Sequence, residues 1–195
     1  MTIEVLNVCK SYGGKQVIRD FSLEISDESF YWITGPSGSG KTTLLRIILG
    51  LEKQDSGQVN LLGDYKYDRV NAGVVFQEDR LCEDFSAVEN VAMVNQKLSA
   101  RVAREELEKL LPADELDKPV RELSGGMRRR VAIVRACIIP SDIIMMDEPF
   151  SGLDAENRQK AISYIRQTAA KTPVVLTDHS GEGLGFCRRI PIAAE

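Results

Sequence analysis

The chain has 195 residues, of which 43% are hydrophobic and 28% charged, and its formal net charge is −4. This length and composition indicate one domain, with or without a subdomain, and a sizeable core. The negative charge gives no electrostatic case for nucleic acid binding. No apolar run approaches the roughly 18 residues of a membrane span, and the N-terminus lacks a signal-peptide pattern. The four cysteines are far apart, so we expect reduced thiols and no zinc site.

Two strands are predicted at the start of the chain, over residues 2–8 and 16–26, where apolar and polar residues mostly alternate. The turn between them contains Tyr12, which precedes the first glycine-rich loop by one hairpin. A ring at this place can stack on a purine. From the local sequence alone, a turn tyrosine without a ligand is an equally good interpretation.

The segment Gly35–Thr42 reads GPSGSGKT and fits the phosphate-binding pattern G-x-x-x-x-G-K-[ST]. An apolar strand, Phe30–Ile33, leads in, and an apolar helix, Lys41–Leu49, leads out. The glycines let successive N–H groups point at one anion, and the helix start adds partial positive charge. The lysine can reach the β- and γ-phosphates, and the Thr42 hydroxyl can ligate Mg²⁺. A chance match has odds below roughly 1%, so a nucleotide site is predicted.

A polar turn, Glu52–Gly57, and a strand, Gln58–Leu62, come next in the predicted order. A second short strand, starting at Gly73, ends on the polar residue Gln77. A carboxamide at the carboxyl end of such a strand is well placed to touch Mg²⁺ or an attacking water. Taken alone, Gln77 would be an ordinary loop glutamine.

A predominantly helical stretch is predicted for residues 79 to about 135. Ser86 to Glu89 form a capping box that opens a helix running to about Leu98. A second helix is predicted over Arg101–Leu111, with the pairs Arg101–Glu105 and Glu105–Lys109 at i,i+4 spacing on a solvated face.

The sequence LSGGM then opens a helix over residues 128–138, which Ser124 can cap and whose first N–H groups two glycines expose. This second anion-binding helix start is far along the chain from the first, and both could not easily grip one phosphate within one subunit. We interpret Arg128, Arg129 and Arg130 as a solvated face with one or two ion pairs, in preference to a nucleic-acid patch.

Ile143–Met146 is an apolar strand followed by two acids, as expected for a buried parallel strand whose carboxyl end faces a ligand. Asp147 can hold Mg²⁺ through its water shell, and Glu148 can polarise a water. The alternative is a pair of exposed strand-end acids without a metal.

The remaining predicted elements are a tight turn at Ser151–Asp154, a helix from Ala155 to about Lys171, a buried strand over Pro173–Leu176 and a last strand over Arg188–Ala193. His179, the only histidine, follows the end of the buried strand. A lone histidine is usually structural, but ligand sites of α/β proteins gather at this position.

These motifs, in this order, resemble an ATP-binding cassette (ABC) ATPase subunit over nearly the whole chain. They are the aromatic residue Tyr12, the Walker A loop Gly35–Thr42, the Q-loop glutamine Gln77, the LSGG signature Leu123–Gly126, the Walker B strand Ile143–Glu148, the D-loop Ser151–Asp154 and the switch histidine His179. The resemblance implies an α/β fold: a P-loop NTPase core with a mainly parallel sheet, an N-terminal antiparallel β-subdomain and an inserted helical subdomain. It implies a single domain, with residues 1–78 and 136–195 as the core and 79–135 as the helical signature subdomain.

The resemblance also implies a role for each site residue. ATP would be bound by Tyr12, Gly35, Pro36, Ser37, Gly38, Ser39, Gly40, Lys41, Thr42 and Thr43. Mg²⁺ would be surrounded by Thr42, Gln77 and Asp147. The implied catalytic residues are Glu148 as general base, with His179, Lys41 and Gln77. In this family two cassettes pair head to tail, so Ser124, Gly125 and Gly126 would act on the partner's ATP and Asp154 would line the dimer interface.

The implied function is a Mg²⁺-dependent ATPase subunit that powers a membrane transporter. Its implied partners are a second ATPase subunit, identical or different, transmembrane permease subunits and, for an importer, an extracytoplasmic substrate-binding protein, with no nucleic acid. The implied location is cytoplasmic, on the inner face of the membrane. The look of the motifs favours nutrient importers of the nitrate, sulfonate and taurine type. The alternatives are an ABC exporter, a soluble ABC ATPase of the DNA-repair or translation type, and a nucleotide kinase.

Two departures from the family pattern stand out. Met127 occupies the position where the family commonly has glutamine. Because Ser124 and the glycine amides carry the phosphate contacts in this family, we expect activity to survive. The tail after His179 is short and glycine-rich, which is expected of a cassette close to minimal, without an appended regulatory domain.

Overall fold

The computed structural model of this chain describes residues 2–26, 29–63, 70–169 and 171–192. Contacts within the chain divide it into two units. The first consists of Met1–Ala72, Ser141–Asp147 and Lys171–Glu195, and the second of Gly73–Pro140 and Glu148–Ala170. The predicted helical subdomain, residues 79–135, lies inside the second unit.

Strands and helices are interspersed along the chain, as expected of an α/β protein. The strands are β1 (Thr2–Tyr12), β2 (Lys15–Ser26), β3 (Phe30–Thr34), β4 (Ser56–Leu62), β5 (Ala72–Val75), β6 (Ile143–Met146), β7 (Val174–Thr177) and β8 (Arg188–Pro191). The helices are α1 (Lys41–Ile48), α2 (Ala87–Ala92), α3 (Ala100–Leu107), α4 (Gly125–Cys137) and α5 (Ala155–Thr168). Two short 3₁₀ turns, Ala113–Glu115 and Val120–Glu122, precede α4.

In the first unit, β2, β1 and β4 form an antiparallel sheet in that spatial order. Ile3, Val5 and Ile25 are fully buried while their sequence neighbours are more exposed, so one face of the sheet packs on the core. This confirms the predicted N-terminal antiparallel β-sheet. Both strands are longer than the sequence indicated, and the turn between them is confined to Gly13 and Gly14.

The other sheet of the first unit contains the parallel strands β6, β7, β3 and β8, adjacent in that order. Every residue of β6 and β7 is buried, as their apolar sequences require. Helix α1 places Leu44, Ile47 and Ile48 into the same core. Because the strands are parallel, the chain segments that follow β3, β6 and β7 begin at one edge of this sheet. The end of the predicted last strand, at Ala193, lies outside the described residues.

The second unit departs from the predicted helix lengths. The capping box at Ser86 is confirmed, but α2 ends at Ala92 instead of continuing to Leu98. The side chain of Asn95 accepts a hydrogen bond from the amide of Lys97 (2.9 Å), and its carbonyl accepts one from Leu98 (2.9 Å). Such a local asparagine turn competes with helix continuation.

The second predicted helix is also shorter, running over Ala100–Leu107. The ion pair between Arg101 and Glu105 forms (3.6 Å), but the predicted pair of Glu105 with Lys109 is wrong: Lys109 lies 2.5 Å from Glu106. The Tyr164 hydroxyl donates to Glu106 (3.0 Å), and the lysine ammonium lies near the Tyr164 ring. This tyrosine therefore favours the i,i+3 pair over the i,i+4 pair.

Asn90 organises the segment that precedes α2. Its side chain is fully buried; the carboxamide oxygen accepts from the Cys82 amide (2.8 Å), and the nitrogen donates to the carbonyls of Cys82, Phe85 and Ser86 at 3.0–3.2 Å. We expect Asn90→Ala to lower the free energy of unfolding by about 3 kcal/mol, because it removes four hydrogen bonds of a fully buried side chain and takes the acceptor from the Cys82 amide. Denaturant titration measures this loss.

Asn95→Ala is the matched control, since the Asn95 side chain makes one local hydrogen bond on a less buried part of the same unit. We expect it to cost less than about 1 kcal/mol. Equal losses in the two variants would contradict the organising role of Asn90.

All four cysteines are free thiols, as expected, and burial raises the pKa of the Cys137 thiol. Within the described ranges, the chain forms no helix of the length and hydrophobicity needed to cross a bilayer.

Candidate nucleotide site

The loop between β3 and α1, Gly35–Gly40, is shaped by glycines. Gly38 and Gly40 have φ angles of +79° and +92°, a region that side chains with a Cβ rarely adopt. A Cβ at Gly40 would also lie 2.6 Å from the Val17 carbonyl oxygen. The sharp turn into α1 therefore requires glycine at this position, and it leaves the first N–H groups of α1 without a side-chain cap among the described residues.

Two polar groups, one in the loop and one at the start of α1, indicate that the loop accommodates an anion. The Lys41 side chain is largely buried, and its ammonium donates to the carbonyls of Gly35 (2.7 Å) and Pro36 (2.9 Å). The Ser39 hydroxyl is buried and has no hydrogen-bond partner in the described part of the chain. A buried hydroxyl without a partner is costly. A phosphate in the loop would offer acceptors to this hydroxyl, to the ammonium and to the uncapped amides.

Asp147 lies directly beside Thr42. The Thr42 hydroxyl donates to one carboxylate oxygen of Asp147 (2.6 Å), and the Thr177 hydroxyl donates to the other (2.7 Å). Asp147 as a whole is only 6% exposed. A hydroxyl and a carboxylate are among the oxygen ligands that Mg²⁺ accepts, with water completing its shell. The donor set therefore fits the predicted magnesium position of Thr42 and Asp147.

Sequence reasoning assigned no role to Thr177. The strand register could have done so, because β6 and β7 are parallel with Met146 opposite Leu176. Asp147 follows β6 directly and Thr177 is the last residue of β7, so the two residues meet at the same edge of the sheet. Knowing which strands are neighbours was the missing information.

His179 follows β7 and is exposed. The segment after it is fixed by Asp178, whose carboxylate accepts hydrogen bonds from the amides of Ser180 (3.1 Å) and Gly181 (2.8 Å). The Asp178 carbonyl accepts the indole N–H of Trp32 (3.0 Å). The histidine thus stands on a loop with a defined shape, at the predicted carboxyl edge of the parallel strands.

Tyr12 is the last residue of β1, with 46% of its surface exposed. The Lys10 ammonium lies 5.1 Å from the ring centroid, within the range of a cation–π contact. Hydrogen bonding to Glu52 raises the pKa of Lys10 and supports its charged form. The exposed ring fits a stacking role, which stays a prediction.

Glu148 belongs to the second unit and has an unusual backbone. Its φ angle is +49°, one of four positive values at residues other than glycine in the described ranges. Such a conformation costs on the order of 1–3 kcal/mol and often occurs at functional sites. The strained backbone at Glu148 is consistent with the general-base role that the sequence predicts for this residue.

The signature residues form the exposed start of α4. The Ser124 hydroxyl accepts a hydrogen bond from the Met127 amide (3.2 Å), so Met127 contributes through its main chain. Ser124 and Gly125 are exposed, and a Cβ at Gly125 would meet nothing within 4 Å. The first turn of the helix is therefore accessible to a ligand that approaches from outside.

Asp154 caps α5. Its carboxylate accepts hydrogen bonds from the amide and from the side chain of Asn157, both at 2.8 Å. These bonds lower the pKa of Asp154 and stabilise its charged form. Its predicted place at a dimer interface is compatible with this cap and stays a prediction.

The interpretation of the three arginines as a solvated face is wrong for two of them. Arg129 and Arg130 are 7% and 8% exposed. Arg129 donates to the carbonyls of Phe76 and Gln77, and Arg130 to those of Gly126 and Leu110. Main-chain carbonyls, which a residue pattern does not reveal, satisfy these buried charges. The predicted ion pairs are both made with Asp79, by Arg128 at 3.8 Å and by Arg129 at 3.3 Å, and the Arg128 side chain is 39% exposed.

The structure thus brings together Lys41, Thr42 and Asp147 of the predicted site, with Thr177 added, in the first unit. Gln77, Glu148, the signature residues and Asp154 lie in the second unit.

Comparisons with known proteins identify similar chains. The family model described as "ABC transporter" matches residues 18–151. The sulfate/thiosulfate import ATP-binding protein CysA of Escherichia coli strain K12 is 35% identical over 213 aligned positions, which cover all of this chain and 58% of that protein. The Nod factor export ATP-binding protein I of Burkholderia orbicola is 35% identical over 206 positions, covering 99% of this chain and 68% of that protein.

A solved structure with a similar fold is the ATP-binding cassette MJ0796, described as a dimer in a post-hydrolysis state bound to ADP and Pi. The TM-score is 0.83 at 29% identity, and the match covers 97% of this chain and 94% of that one. The chain spans little more than half the length of the E. coli relative.

Proposed function

This chain belongs to the ABC transporter family, and from that membership we propose that it binds and hydrolyses ATP to power a membrane transporter. The observation that carries the proposal is the joining of Lys41, Thr42 and Asp147 around the glycine loop, with Thr42 hydrogen-bonded to Asp147 at 2.6 Å. This arrangement fits a nucleoside triphosphate better than a lone anion, because it offers both a phosphate cradle and oxygen ligands for its metal.

The residues of the proposed site have different roles in ATP hydrolysis. The loop amides, Ser39 and Lys41 hold the phosphates, and Tyr12 stacks on the adenine. Glu148 accepts a proton from the attacking water, while His179 and Gln77 orient groups at the γ-phosphate. Phosphoryl transfer depends mainly on positioning and electrostatic stabilisation, which suits a site made of several fixed polar groups.

Mg²⁺ completes the proposed site. Thr42, Gln77 and Asp147 would hold it, and when bound it neutralises charge on the β- and γ-phosphates. Thr177 holds the Asp147 carboxylate in place through its 2.7 Å hydrogen bond.

The accessible start of α4 supports a composite site shared by two copies. Ser124, Gly125 and Gly126 of one subunit would contact the ATP bound by the Walker A loop of the other. Asp154 would lie at the interface between them. ATP then joins the subunits, and hydrolysis weakens their contact, so the reaction is gated by subunit closure.

The proposed partners are transmembrane permease subunits, with the second unit as the docking region. Phe85, which ends the segment Glu78–Phe85, exposes 44% of its surface there, and Met93 exposes 52%. Binding to a permease would place the chain on the inner face of the membrane.

We favour import because importers are prominent among the similar proteins, with a sulfate/thiosulfate importer among them. An extracytoplasmic substrate-binding protein would then belong to the assembly. Export is the second candidate, supported by the Nod factor relative.

A direct test measures phosphate release by the purified chain. We expect ATP turnover that requires Mg²⁺ and falls to background when the metal is chelated, because the metal would neutralise charge on the β- and γ-phosphates. Co-purification with a multi-span membrane protein tests the transporter role. ATP binding without Mg²⁺-dependent turnover, in the presence of its partners, would contradict the proposal.

A further inference from the structure

Arg129 connects the signature helix α4 to the Q-loop within the second unit. Its guanidinium donates to the carbonyl oxygens of Phe76 (2.6 Å) and Gln77 (2.5 Å). Its Nε lies 3.3 Å from a carboxylate oxygen of Asp79. The side chain is 9% exposed. One buried side chain therefore fixes three residues of the segment 76–79: Phe76, Gln77 and Asp79.

The rest of this short segment is attached to the same helix. Arg135, further along α4, donates to the carbonyls of Asp79 (3.0 Å) and Arg80 (2.8 Å). The Arg80 guanidinium lies 3.7 Å from the centroid of the Phe76 ring. The main chain from Phe76 to Arg80 is thus held along one helix.

A planar guanidinium suits this position. Its N–H groups form a fixed fork that can donate to two carbonyls at once, whereas an ammonium is a point donor. The charge also matches Asp79. A glutamine at 129 would retain one amide group and lose the charge, and a lysine would retain the charge and lose the fork.

From this geometry we infer that Arg129 is a positioning residue that ties Gln77 to the signature helix, and thereby links the two ATP sites of a dimer. The inference rests on the proposed function. Helix α4 begins at the signature residues, which would meet the ATP of the partner, while Gln77 would serve the ATP of its own subunit. When α4 shifts on contacting the partner's ATP, Arg129 transmits the shift to Gln77 at the ATP of its own subunit. Binding at one site therefore changes the other, which makes the two sites cooperative.

The first experiment measures positioning without any catalysis. Hydrogen–deuterium exchange of the nucleotide-free chain is compared for wild type, Arg129→Gln and Arg128→Gln. We expect exchange of the amides at 77–80 to become about tenfold faster in Arg129→Gln, because the guanidinium anchors on the Phe76 and Gln77 carbonyls are lost. Arg128→Gln is the matched control: it removes a charge from the same turn, a 3.8 Å contact to Asp79 and a 3.1 Å hydrogen bond to the Leu123 carbonyl, but no bond to Gln77.

Unchanged exchange at 77–80 in Arg129→Gln would overturn the inference, whatever the activity. Exchange in α1 and β3 serves as the internal reference and should stay at wild-type values. Arg129→Lys covers the case in which Arg129→Gln is too unstable to measure. It retains the charge, and we expect an intermediate exchange rate.

The second experiment is a double-mutant cycle on steady-state ATP turnover. We expect Arg129→Gln to lower kcat about tenfold to a hundredfold, as for misplacement of a positioned group, with the KM for ATP changed less than about twofold since the Walker A loop is intact. The Hill coefficient for ATP should fall toward one. In a Gln77→Ala background the same change should have no further effect, because Arg129 acts through Gln77.

Additive losses in the two backgrounds would overturn the inference while leaving the ATPase assignment intact. Absence of Mg²⁺-dependent turnover in wild type would instead contradict the proposed function, and the exchange experiment would still decide whether Arg129 positions Gln77. The two failures are therefore distinguishable.

Discussion

Glu148→Gln is expected to lower steady-state ATP turnover at least about a hundredfold, the scale of a lost general base. The substitution keeps the size of the side chain and removes the proton acceptor. ATP binding should persist, since the substitution leaves the residues of the phosphate loop unchanged. Two copies joined by ATP should then accumulate, and size-exclusion chromatography in MgATP should show a stable dimer. Phosphate release and elution volume are the two measurements.

Glu156→Gln serves as the control, because Glu156 is an exposed acid of the next helix, paired with Lys160 at 2.7 Å. ATP turnover by the Glu156→Gln variant should equal that of the wild type. Unchanged turnover in Glu148→Gln would show that another group takes the proton, and the base assignment would fail.

Mixing two inactive variants is expected to restore turnover if each ATP lies between two copies of the chain. Lys41→Ala removes the ammonium that would hold phosphate, and Ser124→Arg blocks the start of α4; each alone should lose turnover at least about a hundredfold. In a mixed dimer, one site combines the intact Walker A loop of the Ser124→Arg copy with the intact signature of the Lys41→Ala copy. Turnover of the mixture should therefore exceed that of either variant about tenfold or more.

The control mixture pairs Lys41→Ala with Asp147→Asn. Both substitutions damage the same half of the site, which joins Lys41, Thr42 and Asp147 in the first unit, so every dimer in this mixture retains two defective sites. Its turnover should stay at background. Recovery in the control mixture, or none in the first mixture, would contradict a composite site.

The residues at the ends of strands were predictable because their chemistry is local. A glycine loop between an apolar strand and an apolar helix fixes Lys41 and Thr42 in space, and a fully apolar strand before Asp147 indicates that the carboxylate emerges at the edge of a buried sheet. The antiparallel start of the chain followed from simple alternation. These patterns require no knowledge of distant neighbours.

The contacts that depend on distant neighbours were not predictable. The hydrogen bond from Thr177 to Asp147 requires knowing that β6 and β7 are adjacent. The burial of Arg129 and Arg130 requires knowing which carbonyls surround α4, since a run of three arginines is usually solvated. The early end of α2 depends on a side-chain turn at Asn95, which propensity alone does not resolve.

The indole of Trp32 is an optical reporter for the segment that contains His179. The sequence contains a single tryptophan, and the Trp32 N–H is bonded to the carbonyl of Asp178, the residue before His179. Gly181 packs against the same ring, and the Arg189 guanidinium lies 5.5 Å from its centroid. Indole emission responds to the charges and hydrogen bonds around the ring, so the intrinsic fluorescence of the unlabelled protein reads the state of the histidine segment, in real time and without a background from other tryptophans.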